Sequence, residues 1–183
     1  KQFNEIFLYD GIAVLNSADF DEKQLEDKIS SIAQVDKSML MQSTDGIAEN
    51  ESENQSVSMI VPKTPENMGD YIDLVSAENG SNLEVKSGSV IITQKLAKLL
   101  DLKTGDTITI KLSGHEEKEF KIGGVSKNYA LHYIYITPDD FESVYGEKPV
   151  YNLSFIDLKK DTDENSFKEQ LISNDEFYGI KIG

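Results

Sequence analysis

The period of the apolar positions changes several times along the chain, and each change marks an element. Ile6–Leu15 (IFLYDGIAVL) is apolar on both alternating faces, which predicts a strand covered on both sides. Asp19 and Glu22 stand at capping-box spacing, with Asp in place of Ser or Thr, and predict a helix carrying Leu25, Ile29, Ile32 and Ala33 on one stripe. Met39 and Met41, then Val57, Met59 and Val61, predict two strands. The polar, acidic tract Asp45–Gln55 between them reads as a hairpin loop. Thr64-Pro65, an N-cap followed by Pro at the first helical position, predicts a short helix.

The stretch Ser76–Ser89 is rich in Ser, Asn and Gly, and a subdomain boundary is expected in it. Beyond it, Ser89–Thr93 reads as a strand, and Thr93 as the cap of a helix with Leu96, Leu99 and Leu100 inward. Thr107–Leu112 alternates strictly. After the turn Ser113–Glu117, Phe120, Ile122 and Gly124 share a face of the return strand, which predicts an antiparallel hairpin. Tyr133–Ile136 predicts another strand. Thr137-Pro138 opens a helix with Phe141, Val144 and Tyr145 inward and Gly146 just past its end. The last block returns to the style of the first, with strand Tyr151–Leu158, a helix capped by Asp163 and carrying Phe167 and Leu171, and strand Phe177–Ile182.

Strand–helix–strand thus occurs at both ends and flanks a strand-rich middle. The economical architecture is α+β: a βαβ sheet formed by both chain ends (residues 1–75 with 147–183) and an inserted β-rich subdomain (residues 76–146).

Composition narrows what such a domain can do. Hydrophobic residues make up 38% of the chain, so much of it must face water. No run approaches the roughly 18–20 apolar residues of a membrane span, and no basic segment followed by an apolar one suggests a signal peptide. The opening Lys1-Gln2-Phe3-Asn4 has the look of an excised fragment. The formal net charge is −15 and all 18 basic residues are lysines. That composition argues against nucleic acid and against an anionic bilayer surface, since both require a basic footprint. Cysteine is absent, which removes disulfides, thiolate metal sites and Cys nucleophiles.

Candidate chemistry is sparse. His115 lies in a Gly-His-Glu-Glu turn without the second His of a zinc-protease helix, and reads as an exposed turn residue. His132 stands among aromatics and reads as structural or as part of an interaction surface. Asp161–Asn165 resembles the start of a calcium loop, but Ser166 replaces the required Gly and Ile172 the bidentate Glu; helix capping explains these acids better. Gly123-Gly124 opens no dinucleotide fingerprint, and no nucleophile elbow occurs. The Asn-x-Ser sequons, Asn152 among them, are read as chance. Tyr129, Tyr133 and Tyr135, with Tyr145 and Tyr151 nearby, form either a partner-binding patch or the edge of a core. The surface residues singled out are Asn128, Tyr129, His132 and Tyr133. No catalytic, cofactor or metal residue is expected.

One resemblance gathers these elements. Ser89–Thr93, then Lys95–Leu100, then Leu102-x-x-Gly105-Asp106-x-Ile108-x-Ile110, continued by Phe120–Val125, Asn128-Tyr129 and His132–Tyr135, is similar to the extracytoplasmic domain of FtsX-like (MacB-like) ABC transporter permeases. The opening Gln2-Phe3-x-x-Ile6-Phe7-x-Tyr9-Asp10 fits the same pattern. The resemblance implies a porter-like βαβ subdomain with an inserted β-rich one, flanking membrane helices, a cytoplasmic ATP-binding partner and an extracytoplasmic substrate or protein. It also implies that Lys1 and Gly183 lie close together. The rival readings are an enzyme, which would need converging acids in a deep pocket, and a free-standing secreted solute- or peptide-binding module, which would need a ligand-sized apolar pocket.

Overall fold

The structure, a computed structural model, describes residues 7–128 and 131–182. Within them, four strands come from the two ends of the chain: β1 (Gly11–Leu15), the N-terminal half of β2 (Val35–Glu49), β8 (Leu153–Leu158) and β9 (Phe177–Ile182). They lie in the order β9-β1-β8-β2, and every neighbouring pair is antiparallel. Helix α1 (Glu22–Ser31) joins β1 to β2, and α4 (Glu164–Ile172) joins β8 to β9. Each βαβ unit is therefore split by a strand of the other, the ferredoxin-like arrangement. Both helices cover one face of this sheet, where Ala13, Leu15, Leu25, Ile29, Leu40, Ile156, Phe167 and Leu171 form a closed core. At roughly 1.5–3 kcal/mol for each large side chain taken out of water, this core alone fixes how the two chain ends fit together.

The middle of the chain closes into a barrel. The C-terminal half of β2 pairs with β3 (Asn54–Pro62) on one side and with β5 (Thr107–Leu112) on the other. From β5 the pairing runs through β6 (Glu117–Ser126), β4 (Val90–Thr93) and β7 (Tyr133–Tyr135) back to β3. Six strands thus form a ring with no free edge. Ile108, Ile110 and Leu112 point inward with no exposure, as their strict alternation predicts. Helix α2 (Gln94–Leu100) contributes Leu96, Ala97 and Leu100 to the same interior, and α3 (Pro138–Tyr145) contributes Phe141.

β2 is common to both sheets. Residues Val35–Met41 pair with β8, and Gly46–Glu49 are flanked by both β3 and β5. Between the two stretches, where β8 has turned away and β5 has not begun, the Asn152 side chain stands in for a strand. Its carbonyl accepts from the Ser43 amide at 2.8 Å, and its Nδ2 donates to the Ser43 carbonyl at 3.0 Å. At Gly46 a Cβ would lie 2.8 Å from the Lys111 carbonyl oxygen, so only glycine fits where the three strands meet.

Several local expectations shift. The capping box uses Asp21 and Gln24: the Asp21 carboxylate accepts from the Gln24 amide at 2.8 Å, and Gln24 Oε1 accepts from the Asp21 amide at 2.9 Å. Asp19 instead exchanges two hydrogen bonds with Asn16, so the same spacing one turn earlier is spent on the loop. Asp45–Gln55 is mostly strand, because β2 runs to Glu49 and β3 starts at Asn54; its polar residues line the outer wall while Ala48 faces in. Regular pairing starts only at Gly11, and Phe7 makes a single bridge to Ile72. Thr64-Pro65 opens a 3-10 helix (Pro65–Asp70) without a side-chain cap. Leu99 is exposed and Ala97 takes its place in the core. Thr137, Asp163 and Gly146 (φ +73°) hold the cap positions their types suggest.

Candidate functional site

Thr93 ends β4 with no exposure, yet its hydroxyl does not cap α2. It donates to the Leu131 carbonyl at 2.6 Å and accepts from the Tyr133 amide at 3.2 Å, clamping the entry to β7 against β4. From the other side the Ser58 amide of β3 donates to the His132 carbonyl at 3.0 Å. His132 Nδ1 lies 3.1 Å from the Ser56 carbonyl oxygen, which can only accept, so Nδ1 carries the proton. The Asn128 side chain accepts from the Leu131 amide at 3.2 Å and is itself buried.

These contacts frame a groove of about 520 Å³ on the barrel wall, lined by Asp45, Ser56, Ser58, Lys95, Leu131, His132 and Tyr133. Of the four surface residues picked out from sequence, His132 and Tyr133 line it, Asn128 holds the amide of the groove-lining Leu131, and Tyr129 lies outside the described residues. Asp45, Ser56, Ser58 and Lys95 were not anticipated; alternation alone puts Ser56 and Ser58 on the outer face of β3, their meeting with Asp45 follows from strand pairing, and Lys95 comes from α2. The five tyrosines do not form one patch. Tyr135 is wholly buried between sheet and barrel, Tyr151 packs under α1 and α4, and Tyr145 lies beside His115 with ring centroids 4.9 Å apart.

Two further features carry charge. A larger cleft, about 780 Å³, lies between the 3-10 helix, the segment 73–87 and the start of α3. It is lined by Glu66, Asp73, Glu84 and Asp139, and by Lys63, which reaches Glu22 at 2.8 Å and Glu26 at 2.5 Å. Burial opposes the Lys63 charge, and those two hydrogen bonds more than offset it, so its pKa is raised. At the far end of β8, burial and then a hydrogen bond with Asp10 push the Asp157 carboxyl up to about 6. Asp10 is itself tied to the Leu158 amide at 2.7 Å. Among the described residues no group of three or more His, Asp or Glu is placed to hold a metal ion, and no helix is long and apolar enough to cross a membrane.

The sequence matches no protein-family model and no curated protein. Solved structures do match. The periplasmic region of MacB from Actinobacillus actinomycetemcomitans aligns over 100% of this chain and 92% of its own, with a TM-score of 0.58 and 12% identity. The extracellular domain of the noncanonic ABC-type transporter YknZ from Gram-positive bacteria aligns over 95% of this chain and 98% of its own, with a TM-score of 0.58 and 16% identity.

This chain has the fold of an external transporter domain. In this MacB-like fold the split βαβ sheet and the six-stranded barrel are both inside the aligned length, since the alignments span nearly the whole of each partner.

Proposed function

We propose that this chain is the extracytoplasmic domain of an FtsX/MacB-type ABC transporter permease, placed on the outer face of a bacterial cell membrane. In this reading it has no catalytic step of its own. A cytoplasmic ATP-binding subunit moves the flanking membrane helices, and the domain passes that movement to a substrate or protein outside. The carrying observation is the end-to-end likeness to two external transporter domains. Two features of the molecule support it. Ile182, the last described residue, stands opposite Gly11 on neighbouring strands, so β9 ends beside the start of β1; Lys1 and Gly183 themselves lie outside the described residues. The net charge of −15 without arginine suits a domain that keeps off anionic headgroups and reaches the bilayer only through what flanks it.

The division of labour we propose is a sheet unit (residues 1–75 with 147–183) that takes up the movement and an inserted unit (residues 76–146) that brings His132 and Tyr133 to a groove whose other wall, Asp45, Ser56 and Ser58, comes from β2 and β3. Strands β2 and β3 join the two. A free-standing secreted solute- or peptide-binding module would instead use the 780 Å³ cleft beside the 3-10 helix. The intact polypeptide separates these readings. The transporter reading expects apolar spans of about 20 residues on both sides of this segment and co-purification from membranes with an ATP-binding subunit. An intact polypeptide without such spans removes it.

A further inference from the structure

Before β1 begins, Phe7–Asp10 runs as a strap across the seam where the sheet's open face meets the barrel wall. Backbone hydrogen bonds hold it: the Leu8 amide donates to the Tyr71 carbonyl at 2.8 Å, within the antiparallel bridge of Phe7 to Ile72, and the Asp10 amide donates to the Ile156 carbonyl at 3.0 Å. Its two rings, Phe7 and Tyr9, lie 5.8 Å apart and turn into the seam, where Tyr9 packs 5.2 Å from Phe155. The seam is not filled. A cavity of about 40 Å³ remains, with Phe7 and Tyr9 on the strap side and Tyr133 and Tyr135 on the barrel side. Side chains beside a void give up part of their contact energy and can shift at less cost than in a close-packed core.

Among the described residues, Tyr133 alone lines both this cavity and the outer groove. It opens the three-residue strand β7, which is held by short ladders to β3 and β4 and by the Thr93 clamp. We infer that the strap is coupled to the groove through the Tyr133 ring, so that displacing Phe7–Asp10 repositions His132–Tyr133 and changes the groove's shape. The geometry needs no membrane. Only the source of the displacement, a pull from upstream of β1, rests on the transporter reading.

The chain has no cysteine, so Phe7→Cys/Ile72→Cys introduces a single disulfide between facing residues and pins the strap. Amide exchange of this chain, oxidised and reduced, reads the outcome at Ser58, whose amide is held by the His132 carbonyl. Coupling predicts roughly tenfold slower Ser58 exchange in the oxidised form, with α4 amides unchanged. Tyr9→Ala should move Ser58 exchange the opposite way and shift the His132 and Lys95 resonances. Equal Ser58 exchange in the two redox forms, or an equal change in α4, overturns the coupling. Either result leaves the transporter reading untouched, because that reading is tested on the intact polypeptide.

Discussion

The Tyr71 and Phe155 rings stack with centroids 5.2 Å apart and planes 10° from parallel. Phe155 belongs to the end-built sheet, and Tyr71 to the segment that links barrel strands β3 and β4. The stack, with Ile60, Ile91 and Tyr135 from the barrel wall, makes the seam a core in its own right. Phe155→Ala should therefore cost about 3–5 kcal/mol, the usual penalty for emptying a buried aromatic site. Urea unfolding measures it. One cooperative transition at lower midpoint is expected, because the seam and β2 tie both units together.

Asn152 replaces a missing strand beside Ser43. Asn152→Ala leaves the Ser43 amide and carbonyl without their partner, and the loss should be about 1–3 kcal/mol. Asn152→Asp keeps the acceptor and loses the donor, so it should fall between wild type and Ala. Thermal unfolding of the three proteins gives the order.

Asp157 sets a pH dependence whose sign is fixed. Its folded-state pKa, about 6, lies above the ordinary 3.8. The stability it contributes is full below about pH 3.8 and is lost as pH rises through about 6. Asn mimics the protonated acid toward Asp10 and cannot ionise. Asp157→Asn should stabilise the protein at pH 7.5 by about 1 kcal/mol, after discounting for solvent screening and for the lost Lys37 contact at 3.8 Å. The advantage should vanish by about pH 4 in urea titrations run across that range.

His115 sits in the turn between β5 and β6. Its Nε2 meets Glu147 at 2.6 Å, tying the β5–β6 turn to the residues after α3. That hydrogen bond raises the imidazole pKa, against an opposing effect of burial. The tether stabilises most below the ordinary value of 6.5 and is lost as pH rises through the raised folded value. Glu147→Gln should lower the His115 titration midpoint in imidazole proton spectra, with a stability change of at most about 1 kcal/mol.

Much of the fold could be read from periodicity, because the elements that alternate strictly, such as Thr107–Leu112, bury one face only. The two ends could be matched because each carries a strand–helix–strand pattern with a hydrophobic stripe. The long β2 could not be read. Residues Thr44–Glu49 belong to a barrel wall whose outward positions mix Asp45 and Glu49 with an exposed Ile47, and such a wall looks like a loop when only one residue in two faces a core. The groove was half legible. His132 and Tyr133 stood out as aromatic neighbours, whereas Asp45, Ser56 and Ser58 reach it through strand pairing that no local pattern encodes. Asn152 looked like a chance sequon, since its partner Ser43 lies 109 residues away.

The placement of this domain outside the membrane can be measured in intact cells. Glu51, at the exposed tip of the β2–β3 hairpin, can be changed to Cys in a chain that has none. In the full-length protein, Glu51→Cys should react with a membrane-impermeant maleimide added to whole cells, without lysis. Labelling that appears only after the cells are broken would put the domain on the cytoplasmic side and contradict the transporter account.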